Sequence, residues 1–209
     1  MNLNTKLVIF LFLFTGILSA QEEEKINANQ YTEDPETVFF NVELFYPVSI
    51  GNSVYSEYDF DPGYAIDFNW FFKPELTLGV RFAVHRGYPK NISETGNIDR
   101  GAFHLIGIDF GYYKAFNRKW NLSSRLGIGL NSAVYVAPED KFSEEGGKVW
   151  VHAEIAHRLD KTIAFFFKTG IDHDFWDIET SDAKNSYFNN HFLLNAGIGF
   201  RINLQNPGG

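Results

Sequence analysis

Hydrophobic and polar residues alternate along most of the chain from Thr37 onward, in runs separated by breaks rich in Asn, Asp, Ser, Gly and Pro. A period of two places successive side chains on opposite faces of a β-strand. The pattern therefore predicts eight strands, at 37–50, 62–72, 76–87, 101–116, 120–136, 149–159, 162–175 and 191–204.

Most of these predicted strands reach the about 9–11 residues that a tilted strand needs to cross a bilayer. The breaks alternate between short ones (73–75, 117–119 and 160–161) and long ones (51–61, 88–100, 137–148 and 176–190). Short turns on one side and long loops on the other are typical of outer-membrane barrels. The sequence thus predicts an all-β fold, an eight-stranded antiparallel up-and-down transmembrane β-barrel. Both ends of the chain and the short turns are expected on the periplasmic side.

The two faces of the predicted strands differ in composition. One face carries large apolar side chains, and the other mixes Gly, Ala and Asn with charged residues. In a membrane barrel the apolar face meets lipid, whereas in a water-soluble barrel it points inward. The glycines and charges suit a narrow barrel interior and favour the membrane class. A soluble periplasmic barrel that binds an apolar ligand is the alternative.

Charged residues on the predicted inner face are nearly balanced between acidic and basic types. Buried charges persist when they are paired and hydrogen-bonded, and eight strands enclose a space only wide enough for side chains. We therefore expect ion pairs to fill the lumen, which argues against an open, porin-like pore. The alternative role for these charged residues is a path for protons or ions. The predicted members are Glu43, Asp67, Arg81, Asp109, Arg125, Glu154, Lys168, Asp172 and Arg201, with Arg158 near the periplasmic rim.

Aromatic residues gather where the predicted strands meet the breaks. Amphipathic rings prefer the headgroup level of a membrane, so two aromatic girdles are expected, although strand propensity alone also enriches aromatics. The predicted girdle residues are Trp70, Phe72 and Trp120 near the short turns, and Tyr46, Tyr64, Trp150 and Trp176 near the long loops.

The first twenty residues have the composition of a secretory signal peptide. Lys6 precedes the apolar run 7–18, and the small residues Ser19 and Ala20 offer a cleavage site. An uncleaved anchor helix is the weaker alternative, because a membrane span needs about 20 apolar residues. The predicted organisation is a signal peptide (1–20), a polar periplasmic leader (21–36), the barrel (37–204) and a tail (205–209). This organisation predicts export to the bacterial outer membrane.

The composition leaves little room for catalytic chemistry. There is no cysteine among 209 residues, which excludes a thiol nucleophile, a thiolate metal site and a disulfide, and the net charge of −8 argues against binding nucleic acid. The six histidines are dispersed, so no catalytic, cofactor-binding or metal residue is predicted. A lipid-modifying enzyme that uses His173 with a loop serine such as Ser181 is the alternative. The acidic loops suit a divalent cation or a cationic partner, and no specific loop partner is predicted.

The last predicted strand carries a short pattern of one polar residue, one glycine and two alternating hydrophobic residues, at Asn195, Gly197, Phe200 and Ile202. With it, residues 37–204 resemble the small eight-stranded outer-membrane proteins of the OmpA/OmpX-like superfamily. The resemblance implies insertion into outer-membrane lipid by the barrel-assembly machinery, and a structural or surface-interaction role. One departure is the tail 205–209, which continues beyond the place where such chains usually end on an aromatic residue.

Overall fold

A computed structural model describes residues 36–91 and 95–205 of the chain. Within these residues, nine antiparallel strands form one sheet, and the pairing of β4 with β5 closes eight of them into a barrel. Each barrel strand pairs with the next along the chain, so the predicted eight-stranded antiparallel up-and-down barrel is confirmed. The strands are β1 (Glu36–Ile50), β2 (Tyr58–Phe60), β3 (Gly63–Lys73), β4 (Leu76–Pro89), β5 (Arg100–Ala115), β6 (Trp120–Val136), β7 (Lys141–Arg158), β8 (Ile163–Trp176) and β9 (Asn190–Gln205).

The connections give the barrel two different ends. At the turn end, short connections at 74–75, 116–119 and 159–162 join neighbouring strands. At the loop end lie the connections that hold a 3-10 helix (Val54–Glu57), a second 3-10 helix (Asp182–Lys184) and the short helix α1 (Asn185–Asn189). Among the described residues, no helix is both long and apolar enough to span a bilayer.

Burial alternates along the strands and separates the two faces of the wall. In β9, Phe192 and Ile198 are 46% and 48% exposed, whereas His191 and Arg201 are fully buried. Large apolar side chains thus cover the outside of the barrel, and polar or charged side chains lie inside. A water-soluble barrel would show the opposite distribution, so the fold is that of a transmembrane barrel.

One predicted loop is largely strand. The chain pairs β6 with β7 continuously from Trp120 opposite His157 to Val136 opposite Lys141. The predicted loop 137–148 therefore shrinks to a turn at 137–140, and the prediction that β7 begins at 149 was wrong. The β7 side of this end is rich in Glu, Lys and Gly, and backbone pairing continues there without a regular apolar alternation. The predicted loop 51–61 likewise contains β2, which pairs with the end of β4.

Several sequence-based predictions concern residues that the structure does not describe. The predicted signal peptide at 1–20, residues 21–35 of the predicted leader and residues 206–209 of the tail lie outside the described residues.

The barrel interior as the candidate functional site

The structure places all nine side chains of the predicted interior set inside the barrel, where each is at most 6% exposed. Every one of the eight barrel strands contributes at least one of them. Strand alternation positions them, because each lies on the face opposite the large apolar residues. Ion pairs and hydrogen bonds join seven of the nine to one another, Asp172 pairs with other side chains, and Asp109 stands apart.

Asp67 on β3 is the acceptor at the centre of the interior. Its carboxylate oxygens lie 2.7 Å from Arg81 Nη1, 2.7 Å from Lys168 Nζ and 3.2 Å from Arg125 Nη1. Glu43 forms two further ion pairs, at 2.9 Å with Arg81 and 2.6 Å with Lys168. Because these groups come from five strands, the contacts cross the barrel from wall to wall.

Glu154 on β7 extends this network toward the turn end. It accepts hydrogen bonds from Arg201 Nη2, from Arg125 at 3.4 Å and from the Asn41 amide at 3.0 Å. Arg201 also donates to Asn41 Oδ1 at 3.2 Å and to Asn121 Oδ1 at 3.0 Å. We call the set that fills the middle of the barrel the charged layer. Its members are Glu43, Asp67, Arg81, Arg125, Glu154, Lys168 and Arg201.

A second ionic cluster lies nearer the loop end. Lys148 Nζ is 3.1 Å from Asp172 and 3.0 Å from Asp174, and His152 Nε2 is 2.7 Å from Asp172. Of these four residues, only Asp172 belongs to the predicted interior set. Lys148 was missed because its segment was assigned to a loop. Asp174 had a usable signal, since it alternates with Asp172 on the same face of β8.

Asp109 is the predicted interior residue that stands apart. It is 2% exposed, yet neither carboxylate oxygen accepts a hydrogen bond from the described residues. Its carboxylate lies over Gly79 on the neighbouring strand, where a Cβ would approach Asp109 Oδ1 to 2.6 Å. The side chain is therefore enclosed by the wall without joining the charged layer.

At the loop end, aromatic and aliphatic side chains close the interior. Tyr55, on the 3-10 helix Val54–Glu57, stacks on His191 with ring centroids 4.0 Å apart, and its hydroxyl accepts a hydrogen bond from Trp176 Nε1 at 3.1 Å. Burial raises the pKa of the Tyr55 hydroxyl well above its usual value, and it raises the pKa of Tyr58 to about 12. We call this group the mouth layer. Its members are Val54, Tyr55, Tyr58, Phe60, Phe103, Tyr135, Trp176 and Leu193.

Three aromatic rings occupy the interior at the turn end. Phe39, Phe71 and Tyr113 lie with their ring centroids 5.1–6.4 Å apart. The Arg201 guanidinium lies 4.0 Å from the centroid of the Phe39 ring, in the range of a cation–π contact. Arg158, predicted near this rim, donates a hydrogen bond to the Tyr113 hydroxyl at 3.1 Å. Side chains thus occupy the interior at three heights: turn end, middle and mouth.

Two of the predicted girdle residues point inward, and the prediction for them was wrong. Trp150 and Trp176 are 1% and 6% exposed. Trp150 shares the inner face of β7 with Glu154, and it fits because Gly127 on β6 leaves room for its ring, which a Cβ there would overlap. Trp176 belongs to the mouth layer. The other predicted girdle residues lie on the outer surface, 39–65% exposed, and are Tyr46, Tyr64, Trp70, Phe72 and Trp120.

The predicted assembly residues lie on β9, the strand that closes the barrel between β1 and β8. Asn195 and Gly197 face the interior, whereas Phe200 and Ile202 are exposed on the outer surface. Their recognition by the assembly machinery stays a prediction.

The two residues of the alternative enzyme, His173 and Ser181, have different surroundings in the structure. His173 lies on the outer face of β8 and stacks on Phe192, with ring centroids 4.2 Å apart. Ser181 is exposed in the connection before the second 3-10 helix, and no hydrogen bond of the described residues joins it to His173. In the described ranges, no three His, Cys, Asp or Glu side chains are grouped to hold a metal ion.

Comparison with known proteins supports the fold. No protein-family model matches the sequence, and no curated protein matches it. The crystal structure of Neisserial surface protein A is similar with a TM-score of 0.54 and 12% identity, over 80% of this chain and 96% of that one. A major outer membrane protein from Thermus thermophilus is similar with a TM-score of 0.52 and 15% identity, over 80% and 99% of the two chains. The resemblance to small eight-stranded outer-membrane barrels is therefore confirmed at the level of the fold.

Proposed function

We propose that this protein is an outer-membrane barrel, closed to solutes, with a structural or surface-interaction role. The observation that carries the proposal is the charged layer, whose ion pairs cross the barrel from wall to wall between two aromatic layers. A barrel filled in this way offers its outer wall and its loop end to other molecules, not a route through its middle.

The outer wall supports placement in a membrane. Its exposed side chains are mainly large and apolar, and the charged residues near the middle of the strands point inward. A Lys or Arg on the lipid-facing side of such a barrel costs about 2–4 kcal/mol at the bilayer midplane. The observed sorting of side chains avoids this cost in a membrane, whereas in water it would leave a large apolar surface exposed.

The proposed location is the bacterial outer membrane, with the turn end in the periplasm and the loop end outside. This orientation rests on the positions of the short and long connections. Export through a cleaved signal peptide and insertion by the barrel-assembly machinery belong to the same proposal. Outer-membrane lipid is then the immediate partner, while the proposal includes no nucleic acid, cofactor or metal.

Closure follows from the energetics of the charged layer. Opening a channel would separate buried ion pairs and leave charges without partners, at about 3–5 kcal/mol for each broken pair. The carboxylates of Glu43, Asp67 and Glu154 each contact two or more cationic groups. A path through the middle would therefore break several pairs at once.

Planar-bilayer recording tests closure. We expect no steady conductance from the wild-type barrel, and none from a Tyr55→Ala/Tyr58→Ala variant, because the charged layer remains when the mouth layer is weakened. An open porin inserted in the same bilayer provides the control for detection. Steady large conductance from the wild type would overturn the proposal. Conductance from the variant alone would show that the mouth layer, and not the charged layer, closes the barrel.

Cell fractionation tests the location. The protein is expected in the outer-membrane fraction, and an unboiled sample is expected to migrate differently from a boiled one on a denaturing gel. A soluble protein without a gel shift would contradict membrane placement and favour the periplasmic barrel.

A further inference from the structure

The outer wall across β3 to β7 carries a groove of about 530 Å³ near the loop end. This volume falls within the about 300–1,000 Å³ of typical small-molecule sites. Two rows of outward-facing residues in register line the groove. The loop-side row is Tyr64, Val84, His104, Ser132 and Glu145, and the turn-side row is Ile66, Phe82, Ile106 and Leu130.

The groove leaves apolar surface uncovered. Leu130 and Tyr64 are 71% and 65% exposed, the highest values among the large apolar side chains that the structure describes. Beside Leu130 the outer wall is low, because its cross-strand neighbour Gly147 has no side chain. A long apolar chain lying along the turn-side row would cover this surface.

The loop-side row changes from apolar to polar along its length. His104, Ser132 and Glu145 are direct neighbours on three adjacent strands. Strands lie about 4.8 Å apart, so the three side chains follow one another across about 10 Å of the outer wall. Arg86 lies two residues beyond Val84 on the same face of β4 and is exposed, which adds a cation on the loop side of the groove.

We propose that this groove binds one glycerophospholipid whose headgroup carries both a phosphate and an ammonium group. The proposal rests on the proposed function, because lipid surrounds the outer wall only in a membrane. An acyl chain lies along the turn-side row, the phosphate lies toward Arg86 and His104, and the ammonium group pairs with Glu145. Charge complementarity selects this headgroup, since a phosphate without an amine leaves Glu145 without a partner and beside a second negative charge.

Native mass spectrometry tests the site with phosphatidylethanolamine as the probe. The purified barrel in detergent is mixed with the lipid and the bound copies are counted. We expect one retained copy for the wild type and its loss for Val84→Trp, whose ring fills the groove. Val80→Trp is the matched control, because Val80 faces outward on the same strand but lies outside the groove. A gel shift of the unboiled samples shows that each variant is folded.

The headgroup is tested by a charge-neutral substitution and by a second lipid. Glu145→Gln is expected to weaken retention about threefold, the size of one exposed ion pair. Glu144→Gln is the matched control, since Glu144 pairs with the buried Ala133 and so lies on the opposite face. Phosphatidylglycerol, which has a phosphate and no amine, is expected to bind the wild type about threefold more weakly for the same reason.

Equal retention by the wild type and a folded Val84→Trp variant, or equal binding of the two lipids, would overturn the inference. If the barrel is membrane-embedded, heat-modifiable and non-conducting but retains no lipid, this inference is wrong and the proposed function still stands. If the barrel is soluble, the proposed function itself is wrong.

Discussion

The charged layer and the mouth layer fill the same interior by different means. The charged layer is built from strand residues alone, each fixed by alternation and register on a barrel strand. The mouth layer instead depends on a connection that folds back into the barrel, because Val54, Tyr55, Tyr58 and Phe60 come from the segment between β1 and β3. The barrel strands therefore supply the whole charged layer, whereas half of the mouth layer comes from the connection between β1 and β3.

The two layers also use different forces. Ion pairs in the middle are strong only while every charge keeps its partners, so a single neutral substitution leaves other charges buried and unpaired. Aromatic packing at the mouth is distributed over many rings, and its segment can open without disrupting the wall. We therefore expect substitutions in the charged layer to destabilise the whole barrel, and substitutions in the mouth layer to act mainly on the mouth.

The largest expected effect is that of Asp67→Asn. The substitution keeps the side-chain shape but removes the charge that faces Arg81, Arg125 and Lys168. We expect the free energy of unfolding to fall by about 3–5 kcal/mol, the usual cost of breaking a buried pair. Urea titration of the barrel in lipid vesicles, followed by tryptophan fluorescence, measures this change.

Asp109→Asn provides the matched control in the same interior. Because neither Asp109 oxygen accepts a hydrogen bond from the described residues, we expect a change within about 1 kcal/mol. Equal losses for the two variants would show that net charge, and not the contacts of Asp67, governs the stability of the middle.

The charged layer was largely predictable from the sequence, and the mouth layer was not. Alternation with a period of two assigns Glu43 and Arg201 to the inner face without knowledge of the partners. It does not reveal that Asp67 contacts three cations, because those contacts join strands far apart in sequence. The connection at 51–61 has no period, so no local signal shows that Tyr55 enters the barrel.

The two misplaced tryptophans show a further limit. Trp150 was assigned to a girdle from its closeness to a predicted loop, although the alternation that places Glu154 inside also places Trp150 inside. Most of the predicted loop beside Trp150 is not a loop in the structure, because β6 and β7 stay paired as far as Val136 and Lys141. Strand parity was the better guide than distance from a break, because backbone pairing continues where the apolar pattern stops.

A smaller effect is expected for Tyr55→Ala in the mouth layer. Loss of its stacking on His191 and of its hydrogen bond with Trp176 should lower the free energy of unfolding by about 1–2 kcal/mol. This is less than the about 3–5 kcal/mol of a core Phe→Ala substitution, because the segment can open locally. Limited chymotrypsin digestion should show faster cleavage around 55–60 than in Tyr64→Ala, whose ring lies outside. Equal cleavage of the two variants would contradict a packed mouth.

The smallest expected effect is that of His173→Ala, on the outer wall beside the mouth layer. His173 stacks on its cross-strand neighbour Phe192 and lies on the face opposite Asp172 and Asp174. One exposed cross-strand pair contributes about 0.2–1 kcal/mol, so the urea midpoint should move only slightly. Because nothing joins His173 to Ser181 among the hydrogen bonds of the described residues, we expect the acyl chains of the surface lipid to stay unchanged in cells that carry the variant. An acyl pattern that depends on the gene and is lost in His173→Ala would instead favour a lipid-modifying enzyme. Such a result would also mean that the active residues lie on the outer wall, and that the charged layer and the mouth layer only stabilise the barrel.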